Sequence, residues 1–193
     1  MTGQDNCRSE ASPWVKRFLP GVRKGGRVLD VACGSGRHLA LALRQGFIAT
    51  GIDRDCSKAR ERLARDFGGL PPGADLVEID LEDGAPFPVP PGACDGLIVT
   101  NYLWRPILSG IVEAVEPKAG VLIYETFALG NERFGKPKNP DFLLKPGELI
   151  AAVAGRLVPL AYEHVTLRDP DRVVQRICAI GRDHGWLREP PPL

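Results

Sequence analysis

The residues best suited to chemistry fall in one short run, Val28-Leu-Asp-Val-Ala-Cys-Gly-Ser-Gly-Arg37, where an acidic residue near the end of an apolar stretch leads into a glycine-rich turn. Gly34 and Gly36 would let backbone amides approach a ligand closely, and a helix starting just after them would favour a negatively charged group at its N-terminus. A turn that binds nothing is the plain structural alternative. Nineteen residues beyond Gly34 stands Asp53, at the end of Gly51-Ile-Asp. A carboxylate there can accept both hydroxyls of a ribose. It could instead cap the following helix, although Asp55 is available for that duty.

The details choose between nucleotides. A dinucleotide fingerprint needs a third glycine three residues after Gly36, and the chain has Leu39 there. Asp30 would also set a carboxylate against a pyrophosphate, which is electrostatically wrong, whereas a cationic ligand head would welcome it. S-adenosylmethionine has such a head: its ammonium group suits Asp30, and its carboxylate suits the helix N-terminus. A NAD-dependent oxidoreductase is therefore the weaker reading, and the chain has no Tyr-x-x-x-Lys pair for a proton relay.

The run Asp30-Val-Ala-Cys-Gly-Ser-Gly36 resembles motif I of the class I S-adenosylmethionine-dependent methyltransferases, D/E-x-G-x-G-x-G, with Ala32 in place of the first glycine. Among these enzymes the chain is similar to small bacterial methyltransferase-domain proteins of the tellurite-resistance type, over about residues 12–181. The resemblance implies S-adenosyl-L-methionine as cofactor, held by Asp30, Ala32, Gly34, Gly36, Asp53 and Arg54. It also sets Asp80 and Leu81 at the adenine edge, with Asp80 accepting from the exocyclic amine and the Leu81 amide donating to the ring. Asn101 matches the family's motif IV, beside the sulfonium.

The acceptor side is expected after the fourth and fifth strands, in Asn101-Tyr-Leu-Trp-Arg105 and Tyr124-Glu125-Thr-Phe127. Asn101, Tyr102 and Glu125 are the candidate catalytic residues, Glu125 as proton acceptor should the substrate need one. Tyr102, Trp104, Arg105 and Arg133 are the candidate substrate-binding residues. Leu103 and Trp104 could equally begin a packed helix. Arg105, Arg133, Lys136 and Lys138 could attract an anion, or the lysines could be solvated loop charges. His38, His164 and His184 lack metal-ligand spacing, and Cys33 has no partner base, so neither a metal site nor a nucleophilic thiol is expected.

These residues need a scaffold that brings strand ends together. Compact apolar runs alternate with helix-like stretches: strands at 27–32, 47–53, 74–80, 94–100 and 120–126, with helices at 37–45, 54–67 and about 103–115 between them. Right-handed crossovers then require a parallel sheet covered on both faces. Ser12 and Pro13 predict a helix before it, and Pro146 predicts a helix over 145–154. Two final strands, 156–167 and 172–181, flank an Asp169-Pro-Asp turn and should be antiparallel. The expected fold is an α/β three-layer α/β/α sandwich, a Rossmann-like seven-stranded, mostly parallel sheet. Its terminal hairpin, with the last strand inserting antiparallel, comes from the resemblance.

One domain is expected over residues 13–182 with a loop insertion at 127–141, between a flexible N-terminus, 1–12, and a flexible tail, 183–193. With 25 basic and 24 acidic residues the chain has no overall field for nucleic acid or an acidic membrane. Five scattered cysteines suit a reducing compartment, and no signal peptide or membrane span is visible, so the expected location is cytoplasmic. The expected activity is methyl transfer to a small molecule. A non-catalytic S-adenosylmethionine-binding partner subunit is the main alternative.

Overall fold

A computed structural model describes residues 10–192 of the chain. Seven strands form one sheet in the order β3-β2-β1-β4-β5-β7-β6. The strands are β1 (Arg27–Val31), β2 (Ile48–Asp53), β3 (Ala74–Glu78), β4 (Gly96–Thr100), β5 (Val121–Phe127), β6 (Val158–Leu167) and β7 (Arg172–Ile180). The first five are mutually parallel, and β7 enters antiparallel between β5 and β6. The fold is the expected Rossmann-like sandwich.

Side-chain alternation along the strands feeds two cores. Val28, Ile98, Ile123 and Cys178 face α1 (Pro13–Phe18), α2 (Arg37–Arg44) and Leu63 of α3 (Ser57–Phe67). Leu29, Leu97, Val99, Leu122 and Ile177 face α4 (Leu108–Ala114) and α5 (Glu148–Val153). Central β4 is buried along its whole length, whereas edge strand β3 is half in water. No helix among the described residues is long and apolar enough to cross a membrane.

Several boundaries differ from the expectation for local reasons. Asn101 turns the chain with φ 56, so residues 102–104 precede a 3-10 turn, Arg105–Ile107, and α4 begins only at Leu108. Pro146 does not open α5, because Gly147 intervenes at φ 76 and caps a helix starting at Glu148. Phe127 belongs to β5, so the insertion starts after it. The insertion has a closed base: Ala128 bridges Leu144, and the Leu129 amide donates to the Leu144 carbonyl at 3.0 Å. Buried Asn131 ties it to β7, its side-chain oxygen accepting the Val173 amide at 3.2 Å.

Of the N-terminal stretch expected to be loose, residues 1–9 lie outside the described residues, while Ser12 is buried and caps α1. In the C-terminal stretch the His184 ring is buried, its Nε2 is 2.9 Å from the Gly21 carbonyl, and Trp186 packs edge-on to Phe18.

Candidate active site

The carboxyl ends of β1 and β4 are adjacent, and the chain leaves them toward opposite faces, so a crevice opens between their loops. Three residues of the first loop take left-handed backbone: Ala32 (φ 51), Gly34 (φ 53) and Gly36 (φ 68). Glycine is required at 36 for a second reason, since a Cβ there would lie 3.0 Å from the Ala59 Cβ on α3. Ala32 tolerates the conformation at a cost of about 1–2 kcal/mol. Gly34 is exposed, and its amide donates to Asp53 Oδ2 at 2.8 Å. Asp53 thus sits at the mouth of the turn, its other oxygen accepting the Asp55 amide. The cap of α3 falls to Asp55, which accepts the Ser57 amide at 2.9 Å. Arg54 is exposed beside it.

Asp30 does not reach the surface of this cradle. It is 1% exposed and accepts the Leu39 amide of α2 at 3.1 Å. Burial pushes its carboxyl up to about 8, only partly countered by Arg37 and the Leu39 bond, so it is largely protonated at neutral pH. The expected direct contact with a cationic head is corrected accordingly: Asp30 holds the turn to its helix from beneath. Neighbouring His38 is equally enclosed, and burial lowers it to about 3. Its Nε2 accepts the Ser12 amide at 3.1 Å, so the proton of the neutral ring is on Nδ1, toward Thr100 Oγ1 and Asp30. At 4.0 Å from Asp30, this ring is a polar neighbour rather than an ion-pair partner.

Beyond β3, Asp80 is exposed and accepts the Glu82 amide, while Leu81 is buried in the core. Tyr102 follows β4 and packs against the core. Burial raises its phenol first, and the charges of Glu82, Asp80 and Asp53 raise it further. Its buried hydroxyl has no hydrogen-bond partner among the described residues, nor does the indole nitrogen of Trp104, whose ring packs against the core.

On the acceptor side three expectations are corrected. Arg105 is a structural pin: it makes a two-pronged ion pair with Glu148 at 2.7 and 3.0 Å and donates to the Asp141 and Leu143 carbonyls. Its donors have no freedom to orient a substrate. Glu125 is 6% exposed, with one oxygen accepting from Ser12 at 3.1 Å and the other pairing with Arg176 at 3.4 Å. That engagement leaves it a poor general base. Arg133 is exposed, donates to the Gly130 carbonyl and lies over Phe134, outside the lining of the cleft.

The cleft itself has two chambers that share Arg37, Asn101, Phe127 and Lys136. One, of about 780 Å³, runs from Gly34 and Ser35 past Lys58 to the insertion residues Lys138 and Phe142. The other, of about 580 Å³, is walled by Ser12, Glu125, Phe134 and Arg172. Sequence reasoning placed Asn101 and Phe127 here but passed over Arg37, Lys58, Phe142 and Ser12. Arg37 carried a usable signal, being the first residue of the helix behind the turn. Ser12 carried none, because its meeting with Glu125 spans 113 positions.

No protein-family model matches the chain, and no curated protein does. Solved structures do match. An S-adenosylmethionine-dependent methyltransferase from Methanosarcina mazei is 18% identical with a TM-score of 0.62, over 89% of this chain and 98% of that one. The fold is that of these methyltransferases. The 1,6-didemethyltoxoflavin-N1-methyltransferase of Burkholderia thailandensis, solved with 1,6-didemethyltoxoflavin and S-adenosylhomocysteine, is 17% identical with a TM-score of 0.65, covering 93% of this chain and 82% of that one. The cyclase SpnF is also 17% identical, with a TM-score of 0.64 over 87% and 78% of the two chains. At such identities the methyltransferase likeness fixes architecture alone, and a cyclase shares it.

Proposed function

We propose that the chain is an S-adenosylmethionine-dependent methyltransferase acting on a small molecule. The observation that carries this reading is the turn: left-handed Gly34 and Gly36, with the Gly34 amide on Asp53, at the head of α2. Its family likeness to the tellurite-resistance type rests on motif I and element order.

The residues present fit the cofactor. Asp53, half-exposed beside the turn, would accept the ribose hydroxyls. Asp80 and the Leu81 amide would hold the adenine edge. Arg37, at the first position of α2 and in the lining of both chambers, suits the methionyl carboxylate. Asn101, strained at φ 56, would stand at the methyl end. When bound, the cofactor supplies a methyl group already activated by its sulfonium. The protein's task is then to align the acceptor and exclude water.

Calorimetry tests this. The chain should bind S-adenosylhomocysteine and not NAD, and Asp53→Ala should weaken that binding by about 1.5–3 kcal/mol. Tight NAD binding without a response to S-adenosylhomocysteine would end the reading.

A further inference from the structure

We infer that the acceptor is a small organic acid with a flat apolar body, whose own anionic oxygen takes the methyl, bound in the larger chamber; the inference rests on the methyltransferase reading above. The chamber is lined by Arg37, Lys58, Lys136 and Lys138, and no carboxylate lines it among the described residues. Lys136 and Lys138 are exposed and have no ion-pair partner among the described residues. The acids nearest them in sequence are engaged elsewhere. Glu132 accepts the Gly130 amide at 2.8 Å, and the charge of Asp141 acts on Arg105. The smaller chamber shares Arg37 and Lys136 but sets them, with Lys16 and Arg172, among the carboxylates Glu10, Glu125 and Asp171. Of the two chambers, the larger alone is lined by cations with no carboxylate among the described residues. With Arg37 assigned to the methionyl carboxylate, Lys58, Lys136 and Lys138 line the larger chamber beyond what that group requires.

The apolar part of the lining has its own shape. Phe127 and Phe142 flank the same space, and the Phe142 ring is 38% exposed next to the lysines. An exposed ring beside unpaired cations suits a ligand with a flat face and an anionic end. The engagement of the two nearest candidate bases agrees. Glu125 is tied to Ser12 and Arg176, and His38 is enclosed and neutral. An acceptor that is already ionised needs none: an oxygen lone pair forms the new bond to the methyl carbon, and the carbon–sulfur bond breaks with its electron pair going to sulfur. The anion and the sulfonium are neutralised together, and no proton moves.

The test uses the full chain, with S-adenosylhomocysteine binding measured first. Absence of that binding would sink the methyltransferase reading and this inference with it. Benzoate, benzamide and benzylammonium are then titrated into the protein saturated with S-adenosylhomocysteine. Benzoate alone should bind, more weakly as salt is raised. Charge reversal by Lys136→Glu with Lys138→Glu should reduce benzoate affinity by roughly tenfold or more, with a smaller loss for the two Gln replacements, while the cofactor product still binds. The inference is overturned if S-adenosylhomocysteine binds but benzoate does not, if benzamide binds as well as benzoate, or if charge reversal leaves benzoate affinity unchanged.

Discussion

At the ends of β1 and β2 the cleft is shaped by backbone: left-handed residues at 32, 34 and 36, and the Gly34 amide on Asp53. At the ends of β4 and β5 it is shaped by side chains, and several are already spent on the fold. Arg105 clamps Glu148 and two carbonyls, and Glu125 is held by Ser12 and Arg176. Residue type alone is a good guide in the first region, because a positive φ or a close approach restricts what can stand there. In the second it is a poor guide, since an arginine that braces a loop and one that binds a substrate look alike in sequence. Substitutions should therefore separate the halves by what they change.

The largest effect is expected beneath the turn. Asp30 titrates near 8 in the fold, against ~4 when unfolded, so the unfolded chain releases this proton first and stability falls as pH rises from about 4 to about 8. Asp30→Asn removes that penalty while keeping an acceptor for the Leu39 amide. Its stability advantage over the native chain, read from urea melts at pH 5 and pH 8, should grow on the order of several kcal/mol toward the higher pH. A constant difference would mean that Asp30 is ionised in the fold and meets a cation.

A middle effect belongs to Arg105. Arg105→Ala strands Glu148 and two carbonyls, at a cost of about 2 kcal/mol given that the pair is partly solvated. S-adenosylhomocysteine affinity at saturating fold should stay near the native value. If melting is unaffected and only turnover falls, the pin is a substrate contact after all. The smallest effect is a gain: Ala32→Gly relieves the left-handed strain and should raise stability by about 1 kcal/mol in thermal melts. No gain would show that the turn holds Ala32 without strain.

The alternation of strands and helices was legible because buried parallel strands are continuous apolar runs between glycine and proline punctuation, as in Val28–Val31 and Gly96–Thr100. Asp53 and Gly34 were legible because local spacing set both. What escaped depends on distant partners. Nothing in the sequence around Glu125 announces Ser12 or Arg176, and nothing around Arg105 announces Glu148, 43 positions away.

The closed base of the insertion has a consequence for how this chain can diversify. Residues 129–143 leave and rejoin the sheet at the Ala128–Leu144 bridge, so their ends are fixed whatever lies between. Doubling the length of such a loop adds only about 0.6 kcal/mol of closure entropy. The segment carrying Lys136, Lys138 and Phe142 is in effect a cassette: it can be lengthened, shortened or rewritten while the strands and the turn at Gly34 keep their positions. Selection can change this part of the cleft's lining without reopening the question of how the chain folds.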